Sequence, residues 1–330
     1  RAGMAAGLFD PAGYSLGRCH LGMGLCQSSG RNHLIMQEAF AAYEGVRQRL
    51  PSVTRRAAFQ KLPNLDALAE DFDVFLLDAF GVLNIGETAI EGVPDRVAAL
   101  QKAGKRVIVV SNAAGNPHSD LMKKYARLGY DFAPQDVITS RKTLIHALHK
   151  EPPRKWGLMA DESLGREDIE DFDMTYLADD VAQYDAAEAF VLLGAGVWTE
   201  ARQTLLETSL KRAPRPVFVG NPDIVAPRET GFSTEPGAFA HRLANATGVE
   251  PQFFGKPFGN IFEMTFAHLG DIDPARTVMV GDSLHTDILG GQAAGLKTAL
   301  ITNYGFFADH DVSGPISASG IEPDFLLARP

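Results

Sequence analysis

Val74-Phe75-Leu76-Leu77-Asp78-Ala79-Phe80-Gly81-Val82-Leu83 runs an unbroken apolar stretch into a single carboxylate. A short run of this kind, with no polar residue in alternation, suits a strand buried on both faces of a parallel sheet. Ala79-Phe80-Gly81 breaks the run, and Gly81 can take a positive φ there. Asp78 is thereby placed at the carboxyl end of a buried strand, where open α/β sheets bind their ligands. The ordinary reading of a lone Asp after a strand is a cap for the next turn or helix. Other stretches decide between the two.

Working outward, the same pattern recurs. Arg106-Val107-Ile108-Val109-Val110-Ser111-Asn112 is a second buried strand ending in small polar residues, and Asp136-Val137-Ile138-Thr139-Ser140 a third. Thr277-Val278-Met279-Val280-Gly281-Asp282 again ends in a carboxylate, with strands expected at Thr298–Ile301 and Asp324–Leu327. Helical stretches lie between them: Pro94 to Gly104, Ser119 to Gly129, Ser140 to about Lys150, Asn260–Leu269 and His285–Ala294. Strand–helix alternation with apolar strands predicts an α/β fold with a doubly wound, Rossmann-like parallel sheet.

Glu151-Pro152-Pro153 marks a boundary, and residues 155–250 are less regular, with strands at Ala189–Leu193 and Pro216–Val219. The expected organisation is a core of 71–154 and 251–330 interrupted by a second α/β domain, 155–250. A helical extension, 36–70, precedes it. Residues 1–35, rich in Gly, Ser and Arg without a sustained period, read as disordered or as a non-native extension upstream of a start at Met36. They lack the apolar core of a secretory signal.

At 330 residues, 45% hydrophobic and 22% charged, the composition is that of a globular protein. A net charge of −10 argues against a nucleic-acid groove and against an anionic membrane surface. No run approaches the ~20 apolar residues needed to span a bilayer. Cys19 and Cys26, the only cysteines, lack CxxC spacing and suggest neither a metal site nor a disulfide framework. This usage suits a cytoplasmic location.

Taken together, the strand ends put Asp78, Ser111, Asn112, Asp282 and Asp287 on one edge, with Lys256 just before a helix. Each has an ordinary reading: a cap for Asp287, a turn for Ser111 and Asn112, a solvated surface for Lys256. Jointly they make a different case. Clustered carboxylates repel unless a hard cation lies between them, and Mg²⁺ accepts carboxylates, waters and a phosphate oxygen. The chemistry implied is phosphoryl transfer to an aspartate followed by hydrolysis.

These residues resemble the motif series of the haloacid dehalogenase (HAD) superfamily, class IIA, which includes sugar-phosphate, 4-nitrophenyl-phosphate, phosphoglycolate and pyridoxal-phosphate phosphatases. Asp78–Leu83 is similar to the first motif, with Gly86 and Ala89-Ile90-Glu91-Gly92 following. Val109-Val110-Ser111-Asn112 is similar to the second and Gly255-Lys256-Pro257 to the third. Gly281-Asp282-Ser283-Leu284-His285-Thr286-Asp287-Ile288 is similar to the fourth. The resemblance implies Asp78 as nucleophile and metal ligand, with Ser111, Asn112 and Lys256 on the phosphoryl group. It implies Mg²⁺ on Asp78, the Phe80 carbonyl, Asp282 and Asp287, and a 155–250 cap whose Gly220-Asn221-Pro222-Asp223 segment turns Asn221 and Asp223 to substrate. The expected partner is a small phosphorylated metabolite, with a homo-oligomer through the cap held open.

One position departs from the pattern. Most of these phosphatases carry a second Asp two residues after the nucleophile, to protonate the leaving oxygen and activate water; here it is Phe80. Loss of a general acid–base costs ~10²–10⁴ in rate. His285, Asn84 and Glu87 lie near the right loops as stand-ins. A slow Mg²⁺-dependent hydrolase is the leading expectation. The alternatives are a HAD enzyme of other bond chemistry, such as dehalogenation, and a non-enzymatic phospho-ligand module.

Overall fold

The computed structural model describes residues 34–53, 58–228 and 231–330. The expectation for residues 1–35 falls almost wholly outside them. The first helix, α1 (Met36–Gly45), precedes an edge strand, β1 (Gln60–Leu62), and the central strand β2 (Val74–Leu77). A hairpin of β3 (Asn84–Ile85) and β4 (Thr88–Ala89) leads into α2 (Val93–Lys102), β5 (Arg106–Ser111), α3 (His118–Arg127), β6 (Val137–Thr139) and α4 (Ser140–Leu148). A second set follows: β7 (Trp156–Met159), β8 (Met174–Tyr176), α5 (Val181–Ala186), β9 (Ala189–Leu192), α6 (Glu200–Arg212) and β10 (Val217–Val219). The hairpin β11 (Val225–Pro227) and β12 (Phe232–Thr234), then α7 (Pro236–Thr247) and β13 (Gln252–Phe253), close that set. The chain ends with α8 (Gly259–Leu269), β14 (Thr277–Gly281), α9 (Leu289–Ala293), β15 (Lys297–Ile301), α10 (Ser313–Ser319) and β16 (Phe325–Leu327).

Two sheets result. The larger has the order β1-β16-β15-β14-β2-β5-β6 and the smaller β13-β10-β9-β7-β8; every pairing in both is parallel. Alternate residues of β2 feed opposite faces of the larger sheet. Phe75 and Leu77 join one apolar cluster, Val74 and Leu76 another. Each such side chain, fully buried, is worth about 1.5–3 kcal/mol relative to exposure. In the smaller sheet, Phe190 and Leu192 of β9 divide from Ala189 and Val191 in the same way.

From β2 the larger sheet extends to β5 and β6 on one side and to β14, β15 and β16 on the other. The strand order therefore reverses between β2 and β14, the place where doubly wound sheets open a crevice at their carboxyl ends. Val280 pairs with Leu77, and the Asp78 N–H donates to the Val280 carbonyl at 2.9 Å. Asp78 and Asp282 thus leave adjacent strands side by side.

The chain differs from its sequence reading in the 36–70 stretch, which contributes β1 to the sheet as well as helix. Gln60 and Lys61 of β1 are exposed and β1 pairs on one side only, so no apolar run announces it. Helix α1 is held in an apolar cluster by Met36, Ala39 and Tyr43, which also contains Leu284 and Ile288 after β14 and Ile224 and Val225 before α7. No described helix is long and apolar enough to cross a membrane.

Candidate active site

Asp78, Asp282 and Asp287 form a three-carboxylate cluster whose oxygens approach one another within 4.8 Å. Lys256 lies among them, with Nζ 2.6 Å from Asp78 Oδ1 and 2.7 Å from Asp287 Oδ1. The Lys256 side chain is 2% exposed and that of Asp287 is fully buried. Burial of ions costs several kcal/mol each unless they are paired and hydrogen-bonded. The cluster carries three potential negative charges against one positive.

Local structure fixes each group. After β14 the chain makes a wide turn over Leu284–Ile288, closed by the Ile288 N–H donating to the Ser283 carbonyl at 3.2 Å. This turns Asp287 back so that its Oδ2 accepts from the Asp282 and Ser283 N–H groups, each at 3.1 Å. Asp282 Oδ2 accepts from the Phe306 N–H at 2.8 Å. Two glycines let backbone close on Asp282. A Cβ at Gly81 (φ +77) would fall 2.6 Å from Asp282 Oδ2, and one at Gly305 (φ +73) 1.8 Å from it. Both conformations also strain any L side chain.

The electrostatics follow. Burial raises Asp282 well above the usual carboxylate range, and Asp287 and Asp78 push it the same way. Burial raises Asp287 to about 6 against the opposing pull of Lys256. For Lys256, burial favours the neutral amine, but Asp287 and Asp78 outweigh it and hold the ammonium. Oxygen-only donors with excess negative charge fit a hard divalent cation.

Asn112 joins this cluster to the smaller sheet. Its Oδ1 accepts from the Lys256 N–H at 2.8 Å, and its Nδ2 donates to the Lys256 carbonyl at 2.8 Å and to Asp223 Oδ1 at 2.7 Å. Ser111, at the end of β5, is buried and accepts from the Ala113 N–H at 3.3 Å. Asn221 Oδ1 accepts from the Asp223 N–H at 3.1 Å, while its Nδ2 turns to Glu235 Oε2 at 3.2 Å. Burial raises Asp223 to about 7, opposed by the Asn112 hydrogen bond and Lys256. Asp78, Lys256, Asp287, Asn112 and Asp223 therefore form one connected network, with Asp282 inside it and Asn221 one step away.

Phe80 is half-buried and bridges to Asn84, and the Gly81 N–H donates to the Asn84 carbonyl at 2.9 Å. The three stand-ins weighed for a missing acid are engaged elsewhere. His285 Nε2 meets Glu44 Oε1 at 2.5 Å and its ring stacks on Tyr43 at 5.1 Å. Asn84 Nδ2 donates to the Gly86 carbonyl at 2.8 Å. Glu87 pairs with Lys124 and Arg127.

Sequence reasoning missed four contributors. Tyr43, inside the expected helical extension, has a hydroxyl that accepts from the Ile224 N–H at 3.3 Å and reaches the Val225 carbonyl at 3.4 Å. Glu235, beyond the Asn221 loop, gave no signal. Gly305 and Phe306 follow β15 at the same carboxyl edge, and that position was the available clue.

The chain is similar to known proteins along most of its length. Residues 75–175 match the family described as haloacid dehalogenase-like hydrolase, and residues 253–328 match one described as HAD-hydrolase-like. Glycerol-3-phosphate phosphatase of Gallus gallus is 30% identical over 283 residues, spanning 79% of this chain and 90% of that one. Phosphoglycolate phosphatase 1A, chloroplastic, of Arabidopsis thaliana is 26% identical over 311 residues, 87% of this chain and 83% of that one. A crystal structure of a possible sugar phosphatase of the HAD superfamily from Cytophaga hutchinsonii covers 82% of this chain and 98% of its own, with a TM-score of 0.72 at 23% identity.

Proposed function

The chain belongs to the haloacid dehalogenase-like hydrolases, and from that premise we propose that it is a Mg²⁺-dependent phosphatase of small phosphate esters, working through an aspartyl phosphate on Asp78. The observation that carries this reading is the Asp78–Asp282–Asp287 cluster around the buried Lys256. The relatives named for phosphoglycolate and glycerol-3-phosphate point to substrates of that size.

Asp78, Asp282, Asp287 and the Phe80 carbonyl would hold the cation, which when bound offsets the charge of the carboxylates and of the phosphoryl oxygens. The chain's own residues do the rest. Asp78 presents its carboxylate to phosphorus. Lys256, kept cationic by its two carboxylates, binds a phosphoryl oxygen, as does Ser111 through its hydroxyl. Asn112 locks the Lys256 backbone from both sides, which fixes the ammonium. The smaller sheet acts as a cap, and its Gly220–Asp223 loop brings Asn221 and Asp223 to the substrate. Three clustered carboxylates against one ammonium favour a metal-dependent phosphatase over the dehalogenase alternative.

The test is a phosphate-release screen over many phosphate esters, with and without Mg²⁺. Release that requires Mg²⁺ is expected. Failure with every ester, or equal release in chelator, would overturn the reading.

A further inference from the structure

With Phe80 in the usual place of the acid, the loop after Asp78 has no group to move a proton. Lys256 is held as an ammonium by two carboxylates. His285, Asn84 and Glu87 have other partners. Asp223 differs from all of these. It is half-buried, it lies on the loop that closes over Asn112, and only one of its oxygens is spoken for: Oδ1 accepts from Asn112, and Oδ2 takes no hydrogen bond from any described residue.

The loop is also held firmly. A Cβ on Gly237 would fall 2.1 Å from the Pro222 carbonyl oxygen, and one on Gly220 2.8 Å from the Leu144 side chain of α4. The Asp223 carbonyl accepts from the Gly237 N–H at 3.0 Å, and Tyr43 of α1 holds the next two residues. A proton carrier must be positioned within hydrogen-bond reach of the reacting oxygen, and this loop is built to hold position.

We propose that Asp223, on the loop after β10, is the general acid and base of the reaction, replacing the carboxyl absent at Phe80. The inference rests on the phosphatase reading above. In the first step an Asp78 oxygen bonds to phosphorus and the phosphorus–oxygen bond to the leaving group breaks. The Asp223 carboxyl proton goes to that oxygen, which departs as an alcohol. In the second step a water oxygen bonds to phosphorus and the bond to Asp78 breaks. The Asp223 carboxylate takes one water proton, so inorganic phosphate leaves and both side chains return to their starting states. A carboxyl raised by burial to about 7 suits both directions. The groups facing it are Lys256, which opposes that rise, Asp78 and Glu235, which support it, and the phenol of Tyr43. Arg228 pairs with Glu235 and moderates it.

The experiment compares wild type and Asp223→Asn, with Mg²⁺, on glycerol phosphate and 4-nitrophenyl phosphate, after circular dichroism establishes folding. Nitrophenolate leaves without a proton; an alkoxide does not. kcat/KM, which ends at departure of the leaving group, should fall by ~10²–10⁴ for the alkyl ester and by less than about tenfold for the nitrophenyl ester, while slower hydrolysis of the shared aspartyl phosphate lowers kcat on both. Equal losses of kcat/KM on both esters, or no loss on the alkyl ester, would overturn the proposal while leaving the phosphatase reading intact. No release by wild type from either ester would overturn both. The wild type gives a second reading that does not depend on the variant folding. Its kcat/KM on the alkyl ester should decline as pH rises through about 7, with no such limb from this group for the nitrophenyl ester, and a flat alkyl profile across that range overturns the proposal.

Discussion

Two loops meet at the site, and they are built in opposite ways. The loop after β2 carries the nucleophile and is compressed: Gly81 has room for no Cβ beside Asp282, and position 80 holds a ring with no proton to give. The loop after β10 carries Asn221 and Asp223, whose side chains bond to Glu235 and Asn112 and whose backbone is pinned by α7 and Tyr43. The first spends its geometry on packing charge against charge. The second presents a half-buried carboxyl with one free oxygen. Attack and proton transfer need not therefore come from one stretch of sequence, provided a rigid contact such as Asn112 joins the two.

The largest effect should come from the first loop. Asp78→Asn removes the attacking oxygen while keeping the shape, and phosphate release should fall by roughly 10⁶, the scale of deleting a nucleophile. Residual turnover within tenfold of wild type would move the nucleophile elsewhere. Thermal unfolding should change little, which separates loss of chemistry from loss of fold.

The comparison sharpens if the two loops are swapped in role. In an Asp223→Asn background, Phe80→Asp restores a carboxyl two residues after the nucleophile and should recover alkyl-ester turnover by ~10²-fold or more. Recovery requires the new carboxylate to be solvated where the ring was, since an unpaired buried charge is costly. Loss of folding is read from circular dichroism. A folded double variant with no recovery on the alkyl ester would show that a carboxyl on that loop cannot do the work of Asp223.

The packing around Asp282, against which the first loop closes at Gly81, gives the next test. Asp282→Ala should abolish Mg²⁺ binding in calorimetry. Gly305→Ala forces a methyl 1.8 Å from Asp282 Oδ2 at a positive φ, and should weaken Mg²⁺ binding at least tenfold and lower stability by about 1–3 kcal/mol. Unchanged Mg²⁺ affinity in both variants would remove Asp282 from the metal site.

How much of this was legible follows from the same contrast. The strands ending at Asp78, Ser111 and Asp282 were readable because burial on both faces leaves an unbroken apolar run, and one carboxylate at its end stands out. Strand β7, Trp156–Met159, was not: Gly157 interrupts it, because a Cβ there would fall 2.7 Å from the Phe190 ring. Strand β1 was missed because an exposed edge strand needs no apolar pattern. The chain order of Asp78, Lys256 and Asp287 suggested a shared edge, but sequence holds no distance. It could not show that Asn112 spends its amide on Lys256 and Asp223, nor that Tyr43 reaches across to Ile224. Asp223 itself was readable only as a residue facing substrate; its altered acidity comes from burial and from neighbours brought in by other segments.

The smallest predicted effect lies away from both loops, on α7 behind the second one, and it tests whether the element that pins Asp223 is sensitive to acid. His241 is 2% exposed, stacks on Phe253 at 4.8 Å, and has no hydrogen-bond partner on either ring nitrogen. Burial lowers it to about 4; Arg49 adds to the shift and Glu250 opposes it. The unfolded chain, with an ordinary histidine near 6.5, binds the proton more readily than the folded one between those values. Stability from this group is therefore fully present above pH 6.5 and is lost as pH falls toward 4. A shift of that size corresponds to at most about 3 kcal/mol. His241→Phe keeps the stack and removes the proton. Urea unfolding at pH 7 and pH 4.5 should show the wild type losing more stability than the variant over that interval, with the excess loss in the range of about 1–3 kcal/mol. Equal losses in the two proteins would mean that the ring is hydrated or paired in solution and that acid leaves the α7 support of the second loop untouched.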